Sequence, residues 1–292
     1  MEKFFSIGAL KISLLYVIGP YKIFIYEALE TFTSKSVETP DICLRIDTES
    51  PLPSLESYRK IFTTNPEGLW TVLENHERNH YLVSLQYETD KEPYKIAEAD
   101  RTFSDIIIYS GPIKDKLFCP LDYPLDELVL SAHLNINKIG IILHSAGIST
   151  GGRGFLFSGI SGSGKSTISE IWQKDNPVEV LTDERVIIRE INGGLWAFGT
   201  PWHGTAKIHK NMGTPIEKIF FIKHGNVNRA IPISKTDAAS RLMVRCFPAF
   251  WNREGMEFAL DFCTRVAEEK ECYELEFVKD LSVVEYVKNL KH

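Results

Sequence analysis

The sequence predicts an α/β protein built on a mixed sheet, preceded by a smaller α+β N-terminal domain. Short strand-like segments dominate the first third, whereas helical and buried-strand patterns alternate from about Leu121. An Asn-Gly-Gly turn at residues 192–194 predicts at least one antiparallel pair among the later strands. A chain of 292 residues fits two domains, which we place at residues 1–120 and 121–292.

The first 120 residues alternate between apolar segments and polar ones. Strands are predicted for "FFSIGALKISLLYVIG", "ICLRID", "YLVSLQYE" and "SDIIIYSGP", and the polar stretch "ETDKEPYKIAEADRTFS" is predicted to connect two of them. No constellation of catalytic side chains stands out in this part of the sequence. We therefore expect the N-terminal domain to bind or present a partner or to mediate assembly, and a homo-oligomer stays open.

The second domain carries the stronger periodic signals. "LDELVLSAHLNIN" predicts a helix, because apolar residues recur at 125, 128, 129, 132 and 134. "KIGIILHSAGIS" and "FLFSG" predict buried strands, "KSTISEIWQK" predicts a helix, and "VEVLTDERVIIREI" predicts two strands or one bent strand. "LWAFGT" is expected to pair back across the Asn-Gly-Gly turn. Further along come a strand in "IEKIFFIKH", helices over about 236–245 and 257–269, a strand in "CYELEFV" and a helix in "SVVEYVKNL".

Composition and charge exclude several classes of protein. The net charge is −6, and no long basic block is present, which disfavours a nucleic-acid partner. No apolar stretch approaches the ~18 residues that a membrane span needs, and the apolar N-terminus, interrupted by Lys11, predicts strands and not a signal peptide. Five scattered cysteines without a CxxC pair fit a reducing compartment. We expect a cytoplasmic protein.

The segment "GISGSGKS", residues 159–166, fits the phosphate-binding pattern G-x-x-x-x-G-K-[ST]. Its glycines let backbone N–H groups turn toward phosphate oxygens, and the helix that follows directs its positive end at the same anion. Lys165 would contact the β and γ phosphates, and the Ser166 hydroxyl would ligate Mg²⁺. The alternative is a chance glycine-serine turn before a helix. The predicted nucleotide-binding residues are Gly159, Ser161, Gly162, Ser163, Gly164, Lys165, Ser166 and Thr167.

Two adjacent acids, Asp183 and Glu184, follow an apolar segment downstream of this loop. Phosphoryl transfer uses one carboxylate to hold Mg²⁺ and one to accept the proton of the attacking hydroxyl. If the chain bends here, the two acids can divide these roles; if it stays extended, only one reaches the site. The predicted metal ligands are Ser166, Asp183 and Glu184, and the alternative is a solvated turn.

A histidine and an aromatic turn complete the candidate site. His144 is predicted to end the strand before the loop, where it could contact phosphates or tune a carboxylate; a core histidine is the alternative. "GTPWHG", residues 199–204, is either a loop packed on the core or a wall of the site, with Trp202 or His203 near a substrate. The remaining histidines, His76 and His80 among them, show no metal-ligand spacing.

Together, "LHSAGISTGGRGFLFSGISGSGKSTIS", "LTDERVII" and "GTPWHG" resemble the catalytic domain of HPr serine kinase/phosphorylase and its relatives, which include kinases of the C-terminal serine of lasso peptides. The resemblance covers about residues 121–290 and implies a P-loop fold related to ATP-dependent phosphoenolpyruvate carboxykinase. It matches Asp183 to the general base, Glu184 to the second acid of the pair and His144 to the histidine upstream of the loop. Thr205 departs from the pattern, because relatives often carry an acid there.

These observations predict an ATP- and Mg²⁺-dependent kinase that phosphorylates a hydroxyl, with a serine of a peptide or protein as the leading acceptor. Lys165 would neutralise charge on the phosphoryl group, Asp183 would accept the proton and His144 would support it. Three alternatives stay open: a kinase for a small molecule such as a free amino acid or a polyol, an ATP-binding regulatory module with little transfer activity, and an NTPase that drives a partner.

Overall fold

A computed structural model of the chain describes residues 1–16, 22–36, 38–64, 69–75, 77, 79–87, 92–111, 117–175 and 177–290. The chain divides into two compact units. The first comprises residues 1–6, 10–137 and 249–255, and the second comprises residues 7–9, 138–248 and 256 onward. The main division falls after Asn137 and not after residue 120, because the helix that precedes Asn137 belongs with the first unit.

The secondary-structure elements, in chain order, are β1 (Glu2–Ile7), β2 (Leu10–Leu15), β3 (Lys22–Ile23), α1 (Glu27–Glu30), β4 (Thr33–Ser34), β5 (Ile42–Asp47), β6 (Arg59–Thr63), β7 (Trp70–Asn75), β8 (His80–Leu85), β9 (Lys95–Asp100), β10 (Asp105–Ser110), β11 (Leu117–Phe118), α2 (Leu125–Ile136), β12 (Gly140–Thr150), β13 (Arg153–Ser158), α3 (Lys165–Gln173), β14 (Glu179–Thr182), β15 (Arg185–Ile191), β16 (Gly194–Phe198), β17 (Gly213–His224), β18 (Arg229–Pro232), α4 (Lys235–Arg245), α5 (Arg253–Glu269), β19 (Glu271–Phe277) and α6 (Ser282–Lys288).

The first unit is organised around a nine-stranded sheet in the order β4-β1-β2-β5-β10-β9-β8-β7-β6. The four segments predicted as strands all supply strands of this sheet. One prediction was wrong, because β9 lies within the stretch interpreted as a connection. Lys95 is the first residue of β9, and its charge makes the segment look like a polar connection in the sequence. Its side chain is nevertheless buried: the ammonium donates to the carbonyl of Cys119 (2.6 Å) and pairs with Asp122. A charged residue therefore occupies a core position.

The second unit contains a mixed sheet of eight strands, as the sequence predicts. β12 and β17 are long enough to change partners: β12 pairs with β15 over residues 140–144 and with β13 over residues 145–150. His144 therefore lies inside a strand, and the prediction that it ends one was wrong. β13 pairs in parallel with β17, and β13 and β14 both run antiparallel to β12. The carboxyl ends of β13, β14 and β17 consequently meet at one edge of the sheet.

The predicted helices of the second half are confirmed within a few residues. α4 begins after Ser234, whose hydroxyl accepts a hydrogen bond from the amide of Asp237 at 3.1 Å. α5 begins at Arg253, four residues earlier than predicted, because the Asn252 side chain caps it by accepting from the amide of Gly255 at 2.7 Å. In the described part of the chain, no helix is long and apolar enough to cross a membrane.

The hairpin between β15 and β16 is the predicted type I′ turn. Its central residues, Asn192 and Gly193, have φ of 52° and 77°, and Ile191 pairs with Gly194. We expect Gly193→Ala to lower the free energy of unfolding by about 1–2 kcal/mol, because an alanine is strained in this left-handed conformation. A Cβ at residue 193 would meet no atom within 4 Å, so the expected loss of stability comes from backbone strain and not from a steric clash.

Urea unfolding monitored by circular dichroism measures this change. Gly194→Ala is the matched control, because a Cβ at 194 meets its nearest atom at 3.7 Å and its φ is not left-handed. Equal stability of the two variants would contradict the assignment of strain to residue 193.

Candidate functional site

A glycine-rich loop, residues 159–164, connects β13 to α3. Gly162 and Gly164 adopt φ of 80° and 103°, so the chain turns sharply before the helix begins at Lys165. No side chain caps this helix, whose first amides lack intrahelical acceptors by geometry. The Ser163 hydroxyl is buried and has no hydrogen-bond partner within the described residues. The loop is therefore rich in donors that an anion could satisfy.

Lys165 is a buried cation that neutral oxygens hold at the start of α3. Its Nζ donates to the carbonyl oxygens of Gly159 at 3.2 Å and Ile160 at 3.5 Å. Burial lowers the pKa of the Lys165 ammonium, as do the positive charges of Arg245 and Arg185, whereas Glu184 and Asp183 act in the opposite direction. Such a lysine gains a strong partner when an anion enters the loop.

Asp183 follows β14 and is fully buried. One carboxylate oxygen accepts from the amides of Gly204 (2.9 Å) and Ile208 (3.3 Å), and the other from the Ser166 hydroxyl (2.8 Å) and the Ala206 amide (3.0 Å). A carboxylate offers about four acceptor positions, so this one is saturated. Asp183 therefore ties the loop of residues 204–208 to the first turn of α3.

Gly204 permits this arrangement by its lack of a side chain. A Cβ at this position would lie 2.6 Å from a carboxylate oxygen of Asp183 and 3.0 Å from the Ser166 hydroxyl. Real Cβ atoms do not approach oxygens this closely, so a larger residue would separate the loop from the carboxylate. The glycine that ends the aromatic turn thus sits directly against the predicted metal-ligating pair.

Glu184 points differently from its neighbour because the chain bends between β14 and β15. The bend was expected to let both acids reach the site, but only Glu184 lines the pocket. Its Oε1 lies 3.2 Å from Nε2 of His144, and both side chains keep about a quarter of their surface exposed. The hydrogen bond from His144 is the main cause that holds the pKa of the Glu184 carboxyl below its usual value, although burial opposes it. Glu184 is therefore an accessible carboxylate that is easily ionised.

A pocket of about 350 Å³ lies at the edge of the sheet where β13, β14 and β17 end. It brings together eight predicted site residues, whereas Asp183, Gly159 and Ser163 lie outside its lining. Gly204, Thr205 and His224 complete the wall. The lining comprises His144, Ser161, Gly162, Gly164, Lys165, Ser166, Thr167, Glu184, Gly204, Thr205 and His224.

Sequence reasoning missed His224 as a site residue. It ends β17, and its ring packs so closely on Gly164 that a Cβ there would lie 2.4 Å from it. The signal was present, because a strand parallel to β13 must end at the same edge as the glycine-rich loop. The parallel pairing itself could not be read from the sequence pattern.

The aromatic turn behaves mainly as a packed loop. Trp202 is buried, and its carbonyl accepts from the Thr182 hydroxyl at 2.9 Å. Neither Trp202 nor His203 lines the pocket, so the wall is formed by Gly204 and Thr205 instead. Among the histidines without metal-ligand spacing, His80 pairs with Glu98 at 3.2 Å, and His76 lies outside the described residues.

The residues fit a Mg²⁺ ion that depends on phosphate for most of its ligands. Among the residues that the structure describes, no group of three or more His, Cys, Asp or Glu side chains could hold a metal alone. The Ser166 hydroxyl donates a hydrogen bond to Asp183, so its oxygen lone pairs stay available to a metal. Mg²⁺ commonly combines one or two protein oxygens with substrate phosphates and water. Ser166 and Glu184 could supply that part.

Comparisons with known proteins add no family to these observations. A scan against protein-family models finds no match, and a search of the curated proteins finds none either. The residues and their geometry therefore carry the functional argument.

The saturated carboxylate makes a prediction about stability. We expect Asp183→Asn to lower the free energy of unfolding by roughly 2–4 kcal/mol. Its amide NH₂ would oppose the N–H of Ala206 or, turned over, the amides of Gly204 and Ile208, so that a buried donor is left unsatisfied. Urea unfolding measures the loss.

Glu184→Gln is the matched control for this measurement. The same amide replacement at an accessible position should cost less than about 1 kcal/mol, because water can satisfy the new group. A larger loss for Glu184→Gln than for Asp183→Asn would contradict the structural role of Asp183.

Proposed function

We propose that the protein is an ATP- and Mg²⁺-dependent kinase that transfers a phosphoryl group to a hydroxyl. The observation that carries this proposal is one pocket that joins Lys165, Ser166 and the Glu184–His144 pair at the N-terminus of α3. A cation, a metal-ligating hydroxyl and an ionised carboxylate within one pocket are the parts that phosphoryl transfer requires.

The loop and Lys165 would hold the phosphate chain. The amides at the start of α3, the Ser163 hydroxyl and the Lys165 ammonium are donors that lack strong acceptors within the described residues. A triphosphate would satisfy them together and would gain from the positive end of the helix. Mg²⁺, held by Ser166 and phosphate oxygens, would neutralise charge on the transferring group.

Glu184 suits the role of proton acceptor better than Asp183, to which the sequence assigned it. Asp183 is fully buried, and four donors occupy its oxygens, so no acceptor hydroxyl can reach it. Glu184 lines the pocket, and His144 favours its ionised form. As the acceptor oxygen bonds to phosphorus, its proton would pass to Glu184, and the bond to the leaving diphosphate would break.

The acceptor class rests on the resemblance of the sequence motifs to HPr serine kinases. It favours a serine of a peptide or protein over a small-molecule hydroxyl such as that of a free amino acid or a polyol.

A second candidate is an ATP-binding regulatory module with little transfer activity. Thr205 favours it, because it lines the pocket at the position where relatives often carry an acid. The scarcity of carboxylates there would weaken metal binding more than nucleotide binding. Turnover separates the two functions.

The decisive experiment compares wild type, Lys165→Ala and Glu184→Gln in MgATP affinity by calorimetry and in transfer of γ-labelled phosphate to proteins and metabolites of a host extract. We expect Lys165→Ala to abolish nucleotide binding. Glu184→Gln should keep the affinity and lose transfer by about 10²–10⁴-fold.

Three outcomes would contradict the proposal. Wild-type affinity in Lys165→Ala would remove the nucleotide site, and binding without turnover in wild type would leave the regulatory module. Full transfer by Glu184→Gln, together with loss of transfer in a folded Asp183→Asn variant, would show that Asp183 is the proton acceptor. Lys223→Ala, which removes an exposed lysine paired with Glu274, is the control for the lysine change.

The pH profile tests the Glu184–His144 pair. Transfer needs ionised Glu184, so the acidic limb in wild type should lie below pH 4.5, the ordinary value of this carboxyl. His144→Ala removes the hydrogen bond that lowers the pKa while burial remains, so the limb should move to higher pH. Single-turnover transfer against pH measures the shift.

The same pair affects stability with a defined sign. A lowered pKa in the folded state contributes stability above the unfolded value, and this is lost as pH falls through the folded value. Urea unfolding against pH should show a smaller acid-dependent loss in His144→Ala than in wild type. An unmoved acidic limb in a folded variant would contradict the pairing.

A further inference from the structure

Arg245, the last residue of α4, is a half-buried cation that pairs with no carboxylate of the described residues. Its Nη1 donates to the carbonyl of Arg241 at 2.9 Å, and its guanidinium carbon lies 5.3 Å from the centre of the Phe221 ring. Its Nε is buried and has no hydrogen-bond partner within the described residues. Arg241, one turn earlier, pairs with both Asp237 and Glu274.

The chain that follows Arg245 lies against the strand that carries His144. Cys246 forms a bridge with Leu143, the amide of Phe247 donates to the carbonyl of Ile142 at 3.0 Å, and the Phe247 ring lies 6.2 Å from that of His144. On its other side, Arg245 packs on Phe221, which pairs with Ser158, the last residue before the glycine-rich loop. Arg245 therefore lies over the sheet near β12 and β17, whose residues His144 and His224 line the pocket.

Arg245 lies near enough to Lys165, a residue of the pocket, for the two positive charges to repel each other. Burial is the main cause that lowers the pKa of Lys165, and the positive charge of Arg245 lowers it further. Burial and the neighbouring Arg241 lower the pKa of Arg245 itself, and only Asp237, already paired with Arg241, opposes them. A half-buried guanidinium beside two other cations is unfavourable unless an anion joins it.

We infer that Arg245 binds the terminal phosphoryl group of the nucleoside triphosphate. The inference rests on the proposed function and adds a residue to it. The chain next to Arg245 lies against the strand that carries His144, the partner of Glu184, and the terminal phosphoryl group must lie near the proton that Glu184 would accept. Lys165 holds the same chain from the loop.

Arginine suits this position for physical reasons. Its planar guanidinium can donate two parallel hydrogen bonds to phosphate oxygens, and it stays charged in a site where burial depresses the charge of lysine. An arginine that contacts the terminal phosphate stabilises the charge that develops there during transfer. A diphosphate lacks that group, so Arg245 should distinguish triphosphate from diphosphate.

The test compares the affinities of two probes, a non-hydrolysable β,γ-imido analogue of ATP and ADP, both with Mg²⁺. Arg245→Gln should weaken binding of the analogue by about 10–100-fold, the range for hydrogen bonds to charged groups, and change ADP binding less than about twofold. Arg245→Lys should fall between, because it keeps a charge but loses the second hydrogen bond.

Arg265→Gln is the matched control. Arg265 also lies over an aromatic ring, 4.9 Å from the centre of Phe262, but it pairs with Glu190 at 2.8 Å. The Arg265→Gln variant should bind both probes with the affinity of wild type. Urea unfolding of each variant separates loss of fold from loss of contact.

The outcomes divide cleanly. Equal losses for the two probes, or no loss for either, would overturn the role of Arg245 while the nucleotide site stands. If wild type binds neither probe, the proposed function fails and takes this inference with it. A loss confined to the analogue, in folded variants, supports the contact with the terminal phosphoryl group.

Discussion

The arrangement of loops around the pocket of the second unit depends on one buried carboxylate, that of Asp183. Asp183 gathers the Ser166 hydroxyl from α3 and three amides from residues 204–208, so three separate segments meet at two oxygen atoms. A carboxylate can lie in the interior only when hydrogen-bond donors satisfy its oxygens. Three of the four donors to Asp183 are backbone amides, and the chain must bend to bring them there. Gly204 is the position where that approach is closest.

The break after Asp183 has a second consequence. Because β14 ends at Thr182 and β15 starts at Arg185, the two adjacent acids leave the sheet in different environments. Asp183 is buried and saturated, whereas Glu184 stays accessible and meets His144 across the neighbouring strand. Two carboxylates that are adjacent in sequence thus differ in environment: Asp183 fixes the surrounding loops, and Glu184 stays open to the pocket.

Sequence patterns predicted the features that depend on interactions between residues close together in the chain. Residues 159–166 predicted the loop and helix start, and Asn-Gly-Gly predicted a type I′ turn, because glycine conformations and helix ends are local properties. The patterns could not rank Asp183 against Glu184, since that depends on donors 21–25 residues away. His224 escaped notice for the same reason, because the parallel pairing of β13 and β17 brings it to the pocket.

The charge balance of the site indicates what completes it. Neutral donors satisfy the oxygens of Asp183, and Glu184 is hydrogen-bonded by His144, so neither acid forms a direct ion pair with Lys165 or Arg245 among the described residues. Lys165, held by carbonyls, and Arg245, with a buried Nε, retain charge that no described carboxylate pairs directly. The chain as a whole carries a net charge of −6, so cations without a directly paired carboxylate are local exceptions that an anionic ligand would stabilise. The triphosphate of the proposed function is an anion of that kind.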